Sequence, residues 1–154
     1  GAILGGHMVV QSEGRPWSWC GRACLESEAS GWVLPQLVRE HADFAGSPLG
    51  QYEQLGFKEL MAHAGTDPCA RDVWEHCLLK WGEALVSWIH LFAPERIVIG
   101  GGIMHQPDRI LPRLRRIVSE RCWPGAGKAD LVAARYPDHA GLLGAAALFD
   151  PKCG

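Results

Sequence analysis

The chain has 154 residues, 47% of them apolar and 21% charged, with a formal net charge of -2. That length fits one domain or one lobe of a larger one, and the composition is too apolar for intrinsic disorder. The near-neutral balance argues against a nucleic-acid groove or a polybasic membrane patch, and no run of about 18 apolar residues exists to span a bilayer.

The chain opens on Gly1-Ala2-Ile3-Leu4-Gly5-Gly6 and enters apolar sequence almost at once. This stretch lacks the basic flank and longer apolar core of a secretion signal. Domains commonly open on a loosely ordered segment. Two readings therefore stand for the opening, a glycine-rich tail or a chain cut from something longer.

His7–Gln11 reads as a short strand, from its β-branched residues and flanking glycines. Ser12–Arg22, rich in Gly, Pro, Ser and Trp, reads as a loop. Cys24–Ser30 gives one or two helical turns ended by Gly31. Val33–Ala42 carries Val33, Leu34, Leu37, Val38 and Ala42 at helical spacing. A loop over Asp43–Gly56 follows, then a short helix Phe57–Ala64 with Phe57, Leu60, Met61 and Ala64 on one face.

The strongest helical signal is Pro68–Phe92. Asp67 can cap it, Pro68 suits its first turn, and Pro94 stops it. Val73, Trp74, Cys77, Leu78, Trp81, Leu85, Trp88, Ile89 and Phe92 form a wide apolar stripe. Trp74, Trp81 and Trp88 fall seven apart on it, as a packed core face or a protein interface does.

Arg96–Ile99 reads as a buried strand running into Gly100-Gly101-Gly102. A helix over Asp108–Cys122 follows, with its regular part expected from near Pro112. Asp130–Ala134 is the next strand. Asp138 is placed to cap a small-residue helix, His139–Phe149, whose Gly141, Gly144 and Ala145–Ala147 predict very close packing against a neighbour. Helix, strand, glycine turn, helix, strand, helix is the punctuation of an α/β fold.

The six cysteines are Cys20, Cys24, Cys69, Cys77, Cys122 and Cys153. A secreted disulfide framework would be denser and shorter. Reduced thiols and a cytoplasmic location are the corresponding expectations.

Three constellations carry chemistry. Three glycines straight after a strand let backbone amides approach a phosphate or purine, and equally make a tight strand-to-helix turn. His7, Cys20 and Cys24 are plausible zinc ligands, one short of the four a structural zinc takes, with Ser18 where a fourth cysteine would serve. They are also compatible with two ordinary cysteines and an unrelated histidine. Glu26, at the start of a short helix, can accept hydrogen bonds from sugar hydroxyls or simply favour the positive helix end.

Taken in order, these signals resemble the ROK family of sugar kinases and repressors. That family carries a Glu-x-Gly-His motif, a Cys-x-Cys-Gly-x-x-Gly-Cys-x-Glu loop, a Pro-Glu-x-Ile-Val-Ile-Gly-Gly-Gly segment and a Gly-x-x-Gly-Ala-Ala helix. Gly6-His7-Met8-Val9-Val10 matches the first piece. Cys20-Gly21-Arg22-Ala23-Cys24-Leu25-Glu26 matches the second, followed by Ala29-Ser30-Gly31. Pro94-Glu95-Arg96-Ile97-Val98-Ile99-Gly100-Gly101-Gly102 matches the third, and Ala140-Gly141-Leu142-Leu143-Gly144-Ala145-Ala146 the last. The similarity spans nearly the whole chain.

The resemblance implies the C-terminal lobe of an actin/hexokinase-like (ribonuclease H-like) fold, a mixed sheet flanked by helices, with residues 1–154 forming that single lobe. It implies ATP-dependent, glucokinase-like phosphorylation of a hexose with magnesium. His7 and Glu26 would bind the sugar, Gly100, Gly101 and Gly102 the nucleotide, and His7, Cys20 and Cys24 a weak or partial zinc. The departures are specific. The motif's glutamate falls on Leu4, the first zinc-loop cysteine falls on Ser18, and one residue is missing between Cys20 and Cys24. The family's Asp-x-Gly phosphate motif and catalytic aspartate lie on an N-terminal lobe that has no counterpart in this sequence.

Three functional expectations follow. One is a piece of a glucokinase-like enzyme, inactive alone and completed by a separate N-terminal half or a second copy. Another is a non-catalytic sugar-sensing module. The third is a remnant assembling through its Trp-rich helix. Neither a nucleic acid nor a membrane is expected as a partner.

Overall fold

The structure is a computed structural model describing residues 4–18, 21–126, 129–147 and 149. It folds as two compact units, Gly1–Ser87 and Trp88–Gly154.

The first unit begins with a turn of 3-10 helix, Gly5–His7, where the sequence predicts the start of a strand. His7 N–H donates to the Leu4 carbonyl (3.0 Å) and Met8 N–H to the Gly5 carbonyl (3.2 Å). Two adjacent glycines make this tight curl accessible, and it leaves only Val9 as an isolated antiparallel bridge, to Cys24. Val10 N–H donates to Ala23 (2.8 Å) and Leu25 N–H to Met8 (2.9 Å) on either side of that bridge. Within the predicted loop lies a small hairpin. Strand β1 (Pro16–Trp17) pairs antiparallel with β2 (Gly21–Arg22), Trp17 opposite Gly21.

Helix α1 spans Leu25–Ala29 and ends on Ser30 in an extended conformation, φ −86° and ψ 163°, rather than on a left-handed Gly31. Helix α2 (Leu34–Arg39) is shorter than its apolar spacing predicts. The stretch to Gly56 holds two 3-10 turns, Phe44–Gly46 and Pro48–Gln51. Helix α3 (Phe57–His63) starts where Gly56 N–H donates to Glu59 Oε2 at 3.0 Å.

Helix α4 runs from Pro68 to Phe92, as the sequence predicts. Asp67 Oδ2 accepts from Ala70 N–H at 2.8 Å, satisfying one of the orphan amides of the first turn. Its apolar stripe forms the first unit's core, in which Leu34, Val38, Leu49, Leu60, Cys69, Cys77 and Leu78 are buried. Phe57, Trp74 and Trp81 pack edge to face, with centroids 5.1–6.3 Å apart. Two side chains of α4 tie down α1 from its carbonyl end. His76 Nε2 bonds to the Glu28 carbonyl, and Trp81 Nε1 donates to that of Ala29, both at 2.9 Å.

In the second unit, β3 (Arg96–Ile99) and β4 (Asp130–Ala133) pair in parallel, with Ile99 opposite Ala133. The described strands therefore make two separate two-stranded sheets. Helix α5 (Pro107–Arg121) joins β3 to β4 and packs on β4. It runs straight through Pro112, where the sequence predicts its regular part to begin. Pro112 removes one helical donor and crowds the preceding turn, and buried Ile110, Leu111, Leu114 and Ile117 hold the helix on both sides of it. Strand β3 is not buried as expected, for Arg96 and Val98 face outward, Val98 being 59% exposed.

Helix α6 (Ala140–Ala147) buries no residue, and nothing lies within 4 Å of a Cβ built on Gly141 or Gly144. The close packing predicted for it is not made among the described residues. Among the described residues no capping bond from Asp138 to this helix is seen. Asp138 accepts from or pairs with His105 instead (2.9 Å). No described helix is long and apolar enough to cross a membrane.

Candidate functional site

His7 and Glu26 come together in the first unit. The Val9–Cys24 bridge sets the two motif segments side by side, and α1 then lifts Glu26 toward the Gly5–His7 turn. The Glu26 side chain lies against the Gly6 backbone so closely that a Cβ there would be 2.5 Å from Oε1 and 3.0 Å from Cγ. Both His7 and Glu26 are half-buried. A carboxylate packed on the Gly6 backbone and the imidazole of the next residue, each half-buried, offer acceptors and a donor for polyhydroxyl ligands.

The loop behind them is held by Glu28, whose role the sequence did not reveal. Its carboxylate is buried and accepts from Arg15 N–H at 2.6 Å. Arg15 in turn pairs with Glu40 of α2 at 2.6 Å. The Gln36 amide and the Arg15 guanidinium hold the Glu40 carboxyl below its usual range. The available signal was weak. A Glu two residues after Glu26 looks like one more first-turn charge until the loop folds over it.

Of the predicted zinc ligands, His7 and Cys24 are described and Cys20 lies outside the described residues. Cys24 is fully buried. Ser18, at the lost cysteine's position, is exposed. Among the described residues no group of three or more His, Cys, Asp or Glu side chains is placed to hold a metal ion. The described members do not fit a structural zinc by themselves. The His7 ring has an aromatic neighbour instead, Trp17, at 6.5 Å between centroids, and Trp17 meets Trp32 edge to face at 5.2 Å.

Gly100, Gly101 and Gly102 lie at the carboxyl end of β3, in the second unit, all exposed. Gly101 has φ +91°, a conformation that strains any other L-residue. Its amide is already engaged, donating to the Pro137 carbonyl at 3.0 Å, and its carbonyl accepts from Met104 N–H at 2.9 Å. A Cβ on Gly100 would touch Ala140 and Ala134 at 3.5 and 3.7 Å. The turn is thus pressed onto the β4–α6 connection, and His105 reaches Asp138 across the same junction. The sequence held no cue to that pair, whose members are 33 residues apart.

The parallel strand pair with a glycine turn at its carboxyl end, and in the other unit the short helix and turn that carry Glu26 and His7, are α/β elements of the actin/hexokinase-like kind. The sequence profile of the ROK family matches residues 4–152, and the chain belongs to that family. The glucokinase of Thermotoga maritima is 32% identical over 162 residues, covering 100% of this chain and 50% of the relative. The Streptomyces coelicolor glucokinase is 28% identical, covering 93% of this chain and 49% of the relative. The chain thus spans about half the length of these relatives. A ROK glucokinase from Streptomyces griseus, solved with glucose and AMPPNP, superposes with TM-score 0.73 at 28% identity, over 96% of this chain and 51% of its own. A ROK transcriptional regulator, a homologue of the E. coli MLC protein, superposes with TM-score 0.75 at 30% identity, over 92% of this chain and 36% of its own.

Proposed function

We propose that the chain is the C-terminal lobe of an ATP-dependent hexose kinase, with the sugar bound at His7 and Glu26 and one wall of the nucleotide site formed by Gly100, Gly101 and Gly102. The observation that carries this reading is the Glu26 carboxylate seated on Gly6 beside His7. A neutral hexose offers mainly hydroxyls, which a carboxylate and an imidazole recognise directionally. ATP with magnesium supplies the phosphoryl group in such a reaction. Zinc, if held by His7, Cys20 and Cys24, is weak or partial, since the described ligands fall short of a set. A cytoplasmic location accords with this chemistry.

The chain alone is expected to be inactive, with a separate N-terminal half completing it. A second copy of this chain is the other partner considered. A coupled assay over several hexoses with magnesium-ATP tests this. No turnover by the chain alone, and turnover on adding an N-terminal half that carries the Asp-x-Gly motif, is the expected result. Turnover near 1 per second by the chain alone, a rate usual for kinases, overturns it. A non-catalytic sugar sensor is the second reading, and the superposition on a transcriptional regulator favours it. Sugar binding without any activity in either arrangement selects that reading.

A further inference from the structure

We infer that α6 is the element through which this chain docks on the other half of the kinase, lying in an apolar groove of that half. The inference rests on the reading of the chain as one lobe of a sugar kinase. It starts from the composition of the helix. Ala140-Gly141-Leu142-Leu143-Gly144-Ala145-Ala146-Ala147 contains no side chain able to make a hydrogen bond or an ion pair. At 3.6 residues per turn, Gly141, Gly144 and Ala145 share one side and Leu142 and Leu143 the other. A helix that is apolar all round belongs in an interior. Here every residue from Gly141 to Ala147 is exposed, Leu142 at 73% and Leu143 at 48%, and Phe149 just beyond is 87% exposed. Eight residues are also too few for a helix to stand in water by its own hydrogen bonds.

The shape of the surface says what covers it. Both sides of the helix are open, so the complement is a groove rather than a flat patch. Nothing lies within 4 Å of a Cβ built on Gly141 or Gly144, so a partner backbone can come close on that side. The absence of charge on the helix calls for an apolar lining. The family match runs to residue 152 and so includes α6. The Thermotoga maritima glucokinase matches all of this chain with half of its own length, and the Streptomyces griseus glucokinase superposes on 96% of this chain with 51% of its own. These relatives therefore carry α6 together with about as much chain again, and that unmatched half is the occupant we assign. Pairing of α6 with α6 of a second copy fits less well. Such a self-complementary contact covers one side of the helix and leaves the other in water.

Hydrogen exchange read by mass spectrometry over 140–147 tests the assignment. The 154-residue chain is measured alone, mixed with the unmatched half of the Thermotoga maritima glucokinase, and joined behind that half in one polypeptide, so that weak association or poor folding of the separate half does not decide the result. The α6 amides are expected to exchange freely in the chain alone and to slow by roughly 100-fold or more in the joined protein. Leu142→Asp with Leu143→Asp should return them to the free rate there, and should leave the chain alone unaltered because both residues are exposed. Slow exchange in the chain alone, whether or not it depends on concentration, overturns the assignment, since a second copy or the chain itself then covers α6. Glucose phosphorylation by the joined protein with α6 still exchanging freely overturns the docking and leaves the kinase reading standing. Protection of α6 without phosphorylation keeps the docking and overturns the kinase reading. Neither protection nor phosphorylation overturns both.

Discussion

Gly6→Ala is the sharpest test of how Glu26 is positioned. The new methyl group would stand 2.5 Å from Oε1, 3.0 Å from Cγ and 3.2 Å from Cδ of Glu26. Ordinary carbon contacts lie near 3.5–4.0 Å, so the carboxylate has to move by about 1 Å from Cγ outward. The backbone has no objection. Gly6 is not among the glycines with positive φ, which among the described residues are Gly21 and Gly101. Replacing a glycine by alanine at such a position stabilises a fold by about 0.4–1 kcal/mol through the unfolded state, which offsets the local crowding. Folding and function therefore separate in this variant. A hydrogen bond to a charged group contributes about 1.5–3 kcal/mol, so a displaced carboxylate should weaken glucose binding roughly 10- to 100-fold. Calorimetric glucose titration alongside thermal unfolding reads both quantities, with Glu26→Gln as the benchmark. Wild-type glucose affinity in Gly6→Ala would refute the claim that the seat on Gly6 is the binding geometry.

Burial raises the Cys77 thiol to about 12. The neutral thiol is the form the core accepts, so this residue costs nothing below the ordinary thiol range near 9.0, and stability falls as pH rises from there toward 12, by at most about 1.4 kcal/mol per pH unit. Alkylation of Cys77 by iodoacetamide at pH 8 should require unfolding, and labelling as fast as that of a free thiol in native conditions would contradict its burial. Gly101→Ala should cost the second unit about 1–3 kcal/mol because of its φ of +91°. Gly102→Ala should cost under about 0.5 kcal/mol, having open space around it, and equal melting temperatures for the two would show that the strain is absent. Dialysis against a mild chelator should leave well under one equivalent of zinc by elemental analysis. A full, tightly held equivalent would show that another residue completes the set.

What the sequence disclosed depended on how local the cause was. Helix α4 was legible to the residue because its cap, its apolar stripe and its stopping proline all lie within the segment. The strand expected at His7 was not, because two glycines and a single bridge to Cys24 decide the backbone there. Pro112 was overweighted as a breaker, since helix packing on both sides outweighs one missing donor. His7 and Glu26 were found as a motif, and their meeting is tertiary. Glu28 was missed because its partner, the Arg15 amide, is supplied by a loop 13 residues away. The Trp17–Trp32 contact was missed because neither residue falls in a periodic pattern.

The glycine turn sets a limit on what this chain contributes to phosphoryl transfer under the proposed reading. Three exposed glycines allow a nucleotide to approach the backbone, but the Gly101 amide is engaged with Pro137 and the neighbouring His105 with Asp138. The turn therefore supplies shape more than charge. A transferring phosphoryl group needs donors and a metal at its equatorial oxygens, and the attacking hydroxyl needs a base within hydrogen-bond reach. Under the proposed reading Glu26 binds the sugar, so a different group is needed as the base. Loss of a positioned base alone lowers a rate about 100- to 10,000-fold. A sugar bound at His7 and Glu26 with ATP on the glycine turn would thus be two ligands without the chemistry between them. Under the proposed reading, a separate N-terminal half supplies the groups that connect them.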